Sequence, residues 1–131
     1  MNTTKNGRSI TGRFLNLCGF SLLGMAGLAS AQTAPPSFTA SPDIYKSIAE
    51  DSTYRVIEVT WKPKQKDVQH SHPAAAVYYL NDCSLRSFAK DGSQVDGFPK
   101  KGMARVQSSI PSHAIENIGT ADCKLIMFEP K

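Results

Sequence analysis

Short runs of alternating apolar and polar residues fill most of the chain beyond residue 42. Between Tyr54 and Trp61, Val56, Glu58 and Thr60 alternate with Ile57, Val59 and Trp61. A period of two is the mark of a β-strand, because successive side chains leave opposite faces of the backbone. A weaker run of the same kind precedes it in Asp43–Glu50, ended by an Asp51-Ser52 turn. Ala75–Leu80 is a third run, stopped by Asn81-Asp82. "SLRSFA" alternates up to the turn Lys90-Asp91-Gly92. "MARVQ" follows the turn at Pro99–Gly102. "HAIENIG" leads into a Gly-Thr-Ala-Asp turn, and "CKLIMFEP" supplies the last strand. No segment carries a 3.6-residue apolar period. Turn signals about every ten residues between short β-rich runs indicate an all-β sandwich or barrel.

The first residues have a different pattern. Lys5, Arg8 and Arg13 form a positive stretch without acids, followed by an apolar run from Phe14 to Leu28 and by Ala29-Ser30-Ala31. These are the three regions of a secretory signal peptide, so residues 1–31 are expected to be removed after Ala31. The apolar run is too short and too rich in glycine for a membrane span, and no span is expected after cleavage. Leu17 precedes Cys18 where a lipid-modification site needs a small residue. The protein is therefore expected in the periplasm or outside the cell. Residues 32–42 are rich in Pro, Ser, Thr and Ala and predict a flexible tether. Residues 43–131 form the predicted domain, enough for one modest core.

Cleavage also changes the charge. The full chain has 15 basic and 11 acidic residues. Loss of Lys5, Arg8 and Arg13 leaves 12 against 11. The basic character lies in the leader, so nothing in the domain argues for nucleic-acid binding. Lys62, Lys64 and Lys66, interleaved with Pro63 and Gln65, predict a solvated turn. Two cysteines remain, Cys83 and Cys123, and an oxidising compartment favours a disulfide between such a pair if their geometry allows one.

The candidate chemistry sits in the histidines. His70 and His72 are two apart on a strand-like segment, so both point to one face. His113 lies 41 residues beyond His72. In a small barrel the two segments can be neighbours. Three neutral imidazoles on one inner surface can hold Fe, Zn, Mn, Ni, Cu or Co.

The spacing extends this reading. Lys64 to Cys83 resembles the first motif of the cupin superfamily, Gly-x5-His-x-His-x3-Glu-x6-Gly. His70 and His72 match its histidines, while Lys64, Ala76 and Cys83 replace its first Gly, Glu and last Gly. The second motif, Gly-x5-Pro-x-Gly-x2-His-x3-Asn, is matched without gaps by Gly102, His113 and Asn117. Ser108 and Ile110 stand at its Pro and middle Gly. The resemblance spans about Tyr45 to Glu129, and implies a single-domain jelly-roll barrel of six to eight strands with the motif residues lining one end of its cavity. It implies a divalent metal on His70, His72 and His113, in the manner of the three-histidine subset that includes thiol dioxygenases. Pairing through outer strands, as in many cupins, implies a homodimer.

The resemblance places further residues. An inward Ala76, at the motif Glu position, puts Tyr78 and Leu80 inside with it and Tyr79 outside. Tyr78, Arg105 and Gln107 are then candidates to line a small-molecule pocket. Asn117 is expected to bond backbone rather than ligand. In jelly-roll order the strand Ala75–Leu80 runs antiparallel beside Cys123–Phe128, which brings Cys83 and Cys123 to one rim and implies their disulfide. Two function classes remain open on the residues alone. One is a metalloenzyme of oxygenase, isomerase or lyase type, for which no general base is identifiable. The other is a non-catalytic small-ligand-binding or structural module with a degenerate metal site.

Overall fold

A computed structural model of the chain describes residues 33–131; the expected signal peptide, residues 1–31, lies outside them. The described part is built from nine antiparallel-paired strands and one helical turn. The strands are β1 (Tyr45–Glu50), β2 (Tyr54–Trp61), β3 (His70–His72), β4 (Ala75–Tyr79), β5 (Leu85–Ala89), β6 (Gln94–Gly97), β7 (Ala104–Gln107), β8 (Ile110–Asn117) and β9 (Cys123–Pro130). One sheet has the order β1-β2-β9-β4-β7 and the other β3-β8-β5-β6. The strand count exceeds the six to eight expected. Three of the nine are very short, β3 with three residues and β6 and β7 with four each.

The five-stranded sheet carries the core. Along β2 the inward residues are Ile57, Val59 and Trp61; along β4, Ala75, Val77 and Tyr79; along β9, Cys123, Leu125 and Met127. All are at most 4% exposed. Each aliphatic side chain removed from water in this way stabilises by roughly 1.5–3 kcal/mol. β4 pairs with β9 in the expected antiparallel sense, with Tyr79 opposite Leu125. Their ends meet at a disulfide between Cys83 and Cys123, whose Cα atoms are 5.0 Å apart.

Two local features fix the register of the motif segments. Lys64 adopts a left-handed backbone, φ 64°, and Gly102 one of φ 81°. Both stand at motif glycines, and only the second is glycine, so Lys64 carries a strain that a Cβ-free residue would avoid. Asn117 closes the turn after β8. Its Nδ2 donates to the carbonyls of Trp61 and Ala121, and its Oδ1 accepts from the Gly119 amide.

Two expectations need correction. Residues 33–42 are not a flexible tether. Ser37–Ala40 form a single helical turn, α1, with Ser37 fully buried. The Ala34 amide donates to the Pro111 carbonyl at 3.1 Å and the Ser71 amide to the Pro35 carbonyl at 2.9 Å. The Arg55 guanidinium lies 3.9 Å from the centre of the Phe38 ring. Composition suggested a coil, but backbone bonds to β3 and β8 hold the segment on the barrel. The second correction is the parity of β4. Ala76, Tyr78 and Leu80 face outward, Tyr78 with 49% of its surface exposed, and Tyr79 faces inward. Pro73 and Ala74 form no ladder between β3 and β4, and this two-residue break restarts the alternation.

Candidate metal centre

The ladder between β3 and β8 places His70 directly opposite His113, with an irregularity between His70 and His72. The three rings gather at one point. Their centroids are 4.7 Å (His70–His72), 4.6 Å (His70–His113) and 5.2 Å (His72–His113) apart. One ring nitrogen from each lies within 4.8 Å of the others. Among the described residues, these three form the cluster of ligating side chains that can hold a metal ion.

Hydrogen bonds fix the tautomers of two rings. His70 Nδ1 is 2.8 Å from the Val68 carbonyl, and His72 Nδ1 is 2.7 Å from Glu129 Oε1. Both partners accept, so each Nδ1 carries the proton and donates it. Each Nε2 therefore presents a lone pair, and these two nitrogens are 2.9 Å apart. Two facing lone pairs repel unless a proton or a cation stands between them. Bonds of about 2.1 Å at right angles put two ligand nitrogens about 3 Å apart, so the separation suits a shared metal. His113 Nε2 is buried and makes no hydrogen bond. A buried polar atom without a partner is costly, and a metal would satisfy it. The donor set fits a first-row divalent ion.

A second layer of polar residues, absent from the sequence reading, holds these rings. Asp67 is 5% exposed. Its Oδ2 accepts from the Tyr45 hydroxyl at 2.7 Å and from Trp61 Nε1 at 3.0 Å; its Oδ1 accepts from the Ile115 amide. Tyr45 Oη, its proton committed to Asp67, lies 3.2 Å from His70 Nε2. Burial, followed by the neighbouring Asp67 carboxylate, holds the Tyr45 hydroxyl well above its ordinary pKa of 10.0. Glu129 is 3% exposed and ends the inward stripe of β9. An acid in register with Cys123, Leu125 and Met127 was the one sequence signal for it. Tyr45 and Asp67 left no such signal, since only the tertiary fold joins them.

Burial dominates the titration of His70 and His113. It pushes His70 below the ordinary 6.5, against the pull of Asp67. It pushes His113 down to about 3, with help from the charges of His70, His72 and Arg105. Both rings are thus neutral near pH 7, the form a metal requires.

Arg105 and Gln107 line the small cavity beside His72 and His113, whereas Tyr78 is on the outer surface. Tyr79 takes the inward place instead. Ala76, at the motif Glu position, faces away from the centre, and the inward neighbour Val77 cannot ligate. A larger cleft of about 360 Å³ adjoins, sharing Tyr79, Leu85, Arg105 and Ile115 with the small cavity.

No family model matches the chain, and no curated protein matches it. Solved structures do. A cupin domain from Bordetella pertussis Tohama I superposes with a TM-score of 0.62 at 16% identity, covering 75% of this chain and 96% of that one. A Klebsiella pneumoniae protein with a double-stranded β-helix domain gives 0.54 at 16% identity over 66% of this chain and 75% of its own. An RmlC-like cupin family protein from Methanocaldococcus jannaschii gives 0.54 at 8% identity over 66% and 78%. Identities this low establish the fold: it is the cupin jelly roll, the double-stranded β-helix. No described helix is long and apolar enough to cross a membrane.

Proposed function

We propose that the protein is an exported cupin-fold domain that binds one divalent first-row metal ion through His70, His72 and His113, and admits a small-molecule ligand beside it. The observation that carries this reading is the pair of Nε2 lone pairs 2.9 Å apart, next to a buried, unpartnered His113 Nε2. Imidazole suits Fe, Zn, Mn, Ni, Cu and Co alike, so the donor set names a group of metals rather than one. A metal bound there would supply Lewis acidity or activate dioxygen. Glu129 and the Val68 carbonyl orient the rings of His72 and His70 for it. The apolar residues Val77, Leu125 and Met127 line the small cavity on the side of the five-stranded sheet.

One observation favours ligand binding without turnover as the second reading. The two buried carboxylates near the centre are both engaged, Glu129 by His72 and Asp67 by Tyr45, Trp61 and the Ile115 amide. Neither is free to serve as a general base. Export rests on the leader pattern, and the Cys83–Cys123 disulfide supports an oxidising compartment.

Elemental analysis of protein purified natively from the cell envelope tests the metal. About one equivalent of a first-row metal per chain is expected, and none in the variant with all three histidines replaced by alanine. A triple variant that retains the parent's metal would place the site elsewhere. Intact mass of the same preparation tests export, with an N-terminus at Gln32 expected and a full-length or lipidated chain counting against it.

A further inference from the structure

The larger cleft differs in chemistry from the metal cavity it adjoins. Its rim is apolar and exposed: Val95 is 70% exposed, Phe98 62% and Met103 48%. Large apolar side chains clustered around a concavity mark a binding site more often than a bare surface. At about 360 Å³ the cleft is near the lower end of small-molecule pockets, which run from roughly 300 to 1,000 Å³.

Two charged side chains line it, and only one is free. Asp96 is bound through both carboxylate oxygens by Arg86, at 2.7 and 2.8 Å. Arg105 has no acidic partner among the described residues. Its Nη2 donates to Gln107 Oε1 at 3.2 Å, a bond that orients the guanidinium without neutralising it. Arg105 also lines the small cavity with His72 and His113, so its charge stands at the junction of the two spaces. A planar guanidinium with unused donors matches a carboxylate, which accepts two parallel hydrogen bonds.

We propose that this cleft takes a small carboxylate with an apolar body, the carboxylate on Arg105 at the mouth of the metal cavity and the body against Val95, Phe98 and Met103. The assignment rests on the small-molecule reading above and gives that ligand its chemical class. A neutral or cationic ligand would leave Arg105 unpaired and lose the charge-assisted bonds.

The test is a calorimetric titration of natively purified protein with 3-phenylpropanoate, its neutral analogue 3-phenylpropanamide, and acetate. The acid is expected to bind at least tenfold tighter than either of the others. Arg105→Met should remove the gap between acid and amide, and Arg105→Lys should retain part of it. Equal binding of acid and amide, a full gap in Arg105→Met, equal binding of acetate and phenylpropanoate, or no binding of the acid each overturns the assignment. Repeating the titration after chelation separates it from the metal. A gap that survives chelation shows that Arg105 acts without the metal, and a gap in natively purified protein that never contained metal would defeat the metal reading alone. Loss of the gap in Arg105→Met with the metal content unchanged would support Arg105 independently.

Discussion

The two sheets of the barrel use the same alternation for different ends. In the five-stranded sheet the inward residues of β2, β4 and β9 are apolar from Ile57 to Met127, and almost none of their surface is exposed. In the four-stranded sheet the inward positions of β3 and β8 hold His70, His72 and His113, and the wall beyond them opens into the cleft lined by Leu85, Ser87 and Ile115. The first sheet is a packing surface and the second carries the chemistry. The second does not orient its own ligands, however. Glu129 from β9 fixes His72, and Tyr45 from β1 and Trp61 from β2 hold Asp67 against His70. A sheet that buries imidazoles needs partners for their second nitrogens; the opposite sheet provides the one for His72 where its apolar stripe ends, at Glu129, and the Val68 carbonyl just before β3 provides the one for His70.

If that division of labour is real, damage to the first sheet should cost stability and spare the metal. Reducing the Cys83–Cys123 disulfide opens a 40-residue loop at the rim of the five-stranded sheet. Unfolding in denaturant should then show a loss of roughly 3–4 kcal/mol in the chain-entropy picture, with metal stoichiometry unchanged in the protein that stays folded. Coupled loss of metal at low denaturant would dissolve the distinction.

The bridge between the sheets is probed by Glu129→Gln. The substitution keeps the shape at His72 and removes the charge. Metal affinity, measured by competition with a chelator, should fall about 10- to 100-fold. An unchanged affinity would show that His72 needs no help from β9.

The alternation in the five-stranded sheet was legible because burial there obeys one rule, and β2 runs from Tyr54 to Trp61 as its pattern predicts. The two-motif spacing gave the three histidines for a different reason: it encodes which strands lie opposite. What stayed hidden depends on breaks and on tertiary contacts. Pro73-Ala74 reset the parity of β4, exchanging Tyr78 for Tyr79. Pro35, Pro36 and Ser37 have the composition of a linker, and only the carbonyls and amides of β3 and β8 turn them into a packed segment. Tyr45 and Asp67 are 22 residues apart and meet only in the folded barrel.

Acid should weaken the histidine sheet of the metal-free protein. His113, with a folded pKa of about 3 against an ordinary 6.5, binds its proton more readily in the unfolded chain. Its contribution to stability is therefore complete above about pH 6.5 and declines as pH falls from there towards 3. His70, also lowered, adds in the same direction. Thermal unfolding followed across that window should show a falling Tm, and His113→Leu should flatten the slope. Equal slopes in the two proteins would mean that the ring is not held neutral by burial.

The smallest effect concerns the turn that leads into β3. Lys64 holds φ 64° and anchors its Nζ on the Ile118 carbonyl at 3.0 Å. Lys64→Gly relieves the backbone and forfeits that exposed bond. A net gain of at most about 1 kcal/mol is expected in chemical denaturation, and a clear loss would show that the side chain matters more than the backbone.

The central claim is that the facing Nε2 lone pairs of His70 and His72 on β3, with the unpartnered His113 Nε2 on β8, are a metal site, and X-ray absorption at the edge of the metal found in natively purified protein addresses it most directly. Three imidazole nitrogens at roughly 2.0–2.2 Å are expected in the first shell, with no sulfur. A shell of sulfur, or one made of oxygen alone, would contradict the assignment of His70, His72 and His113.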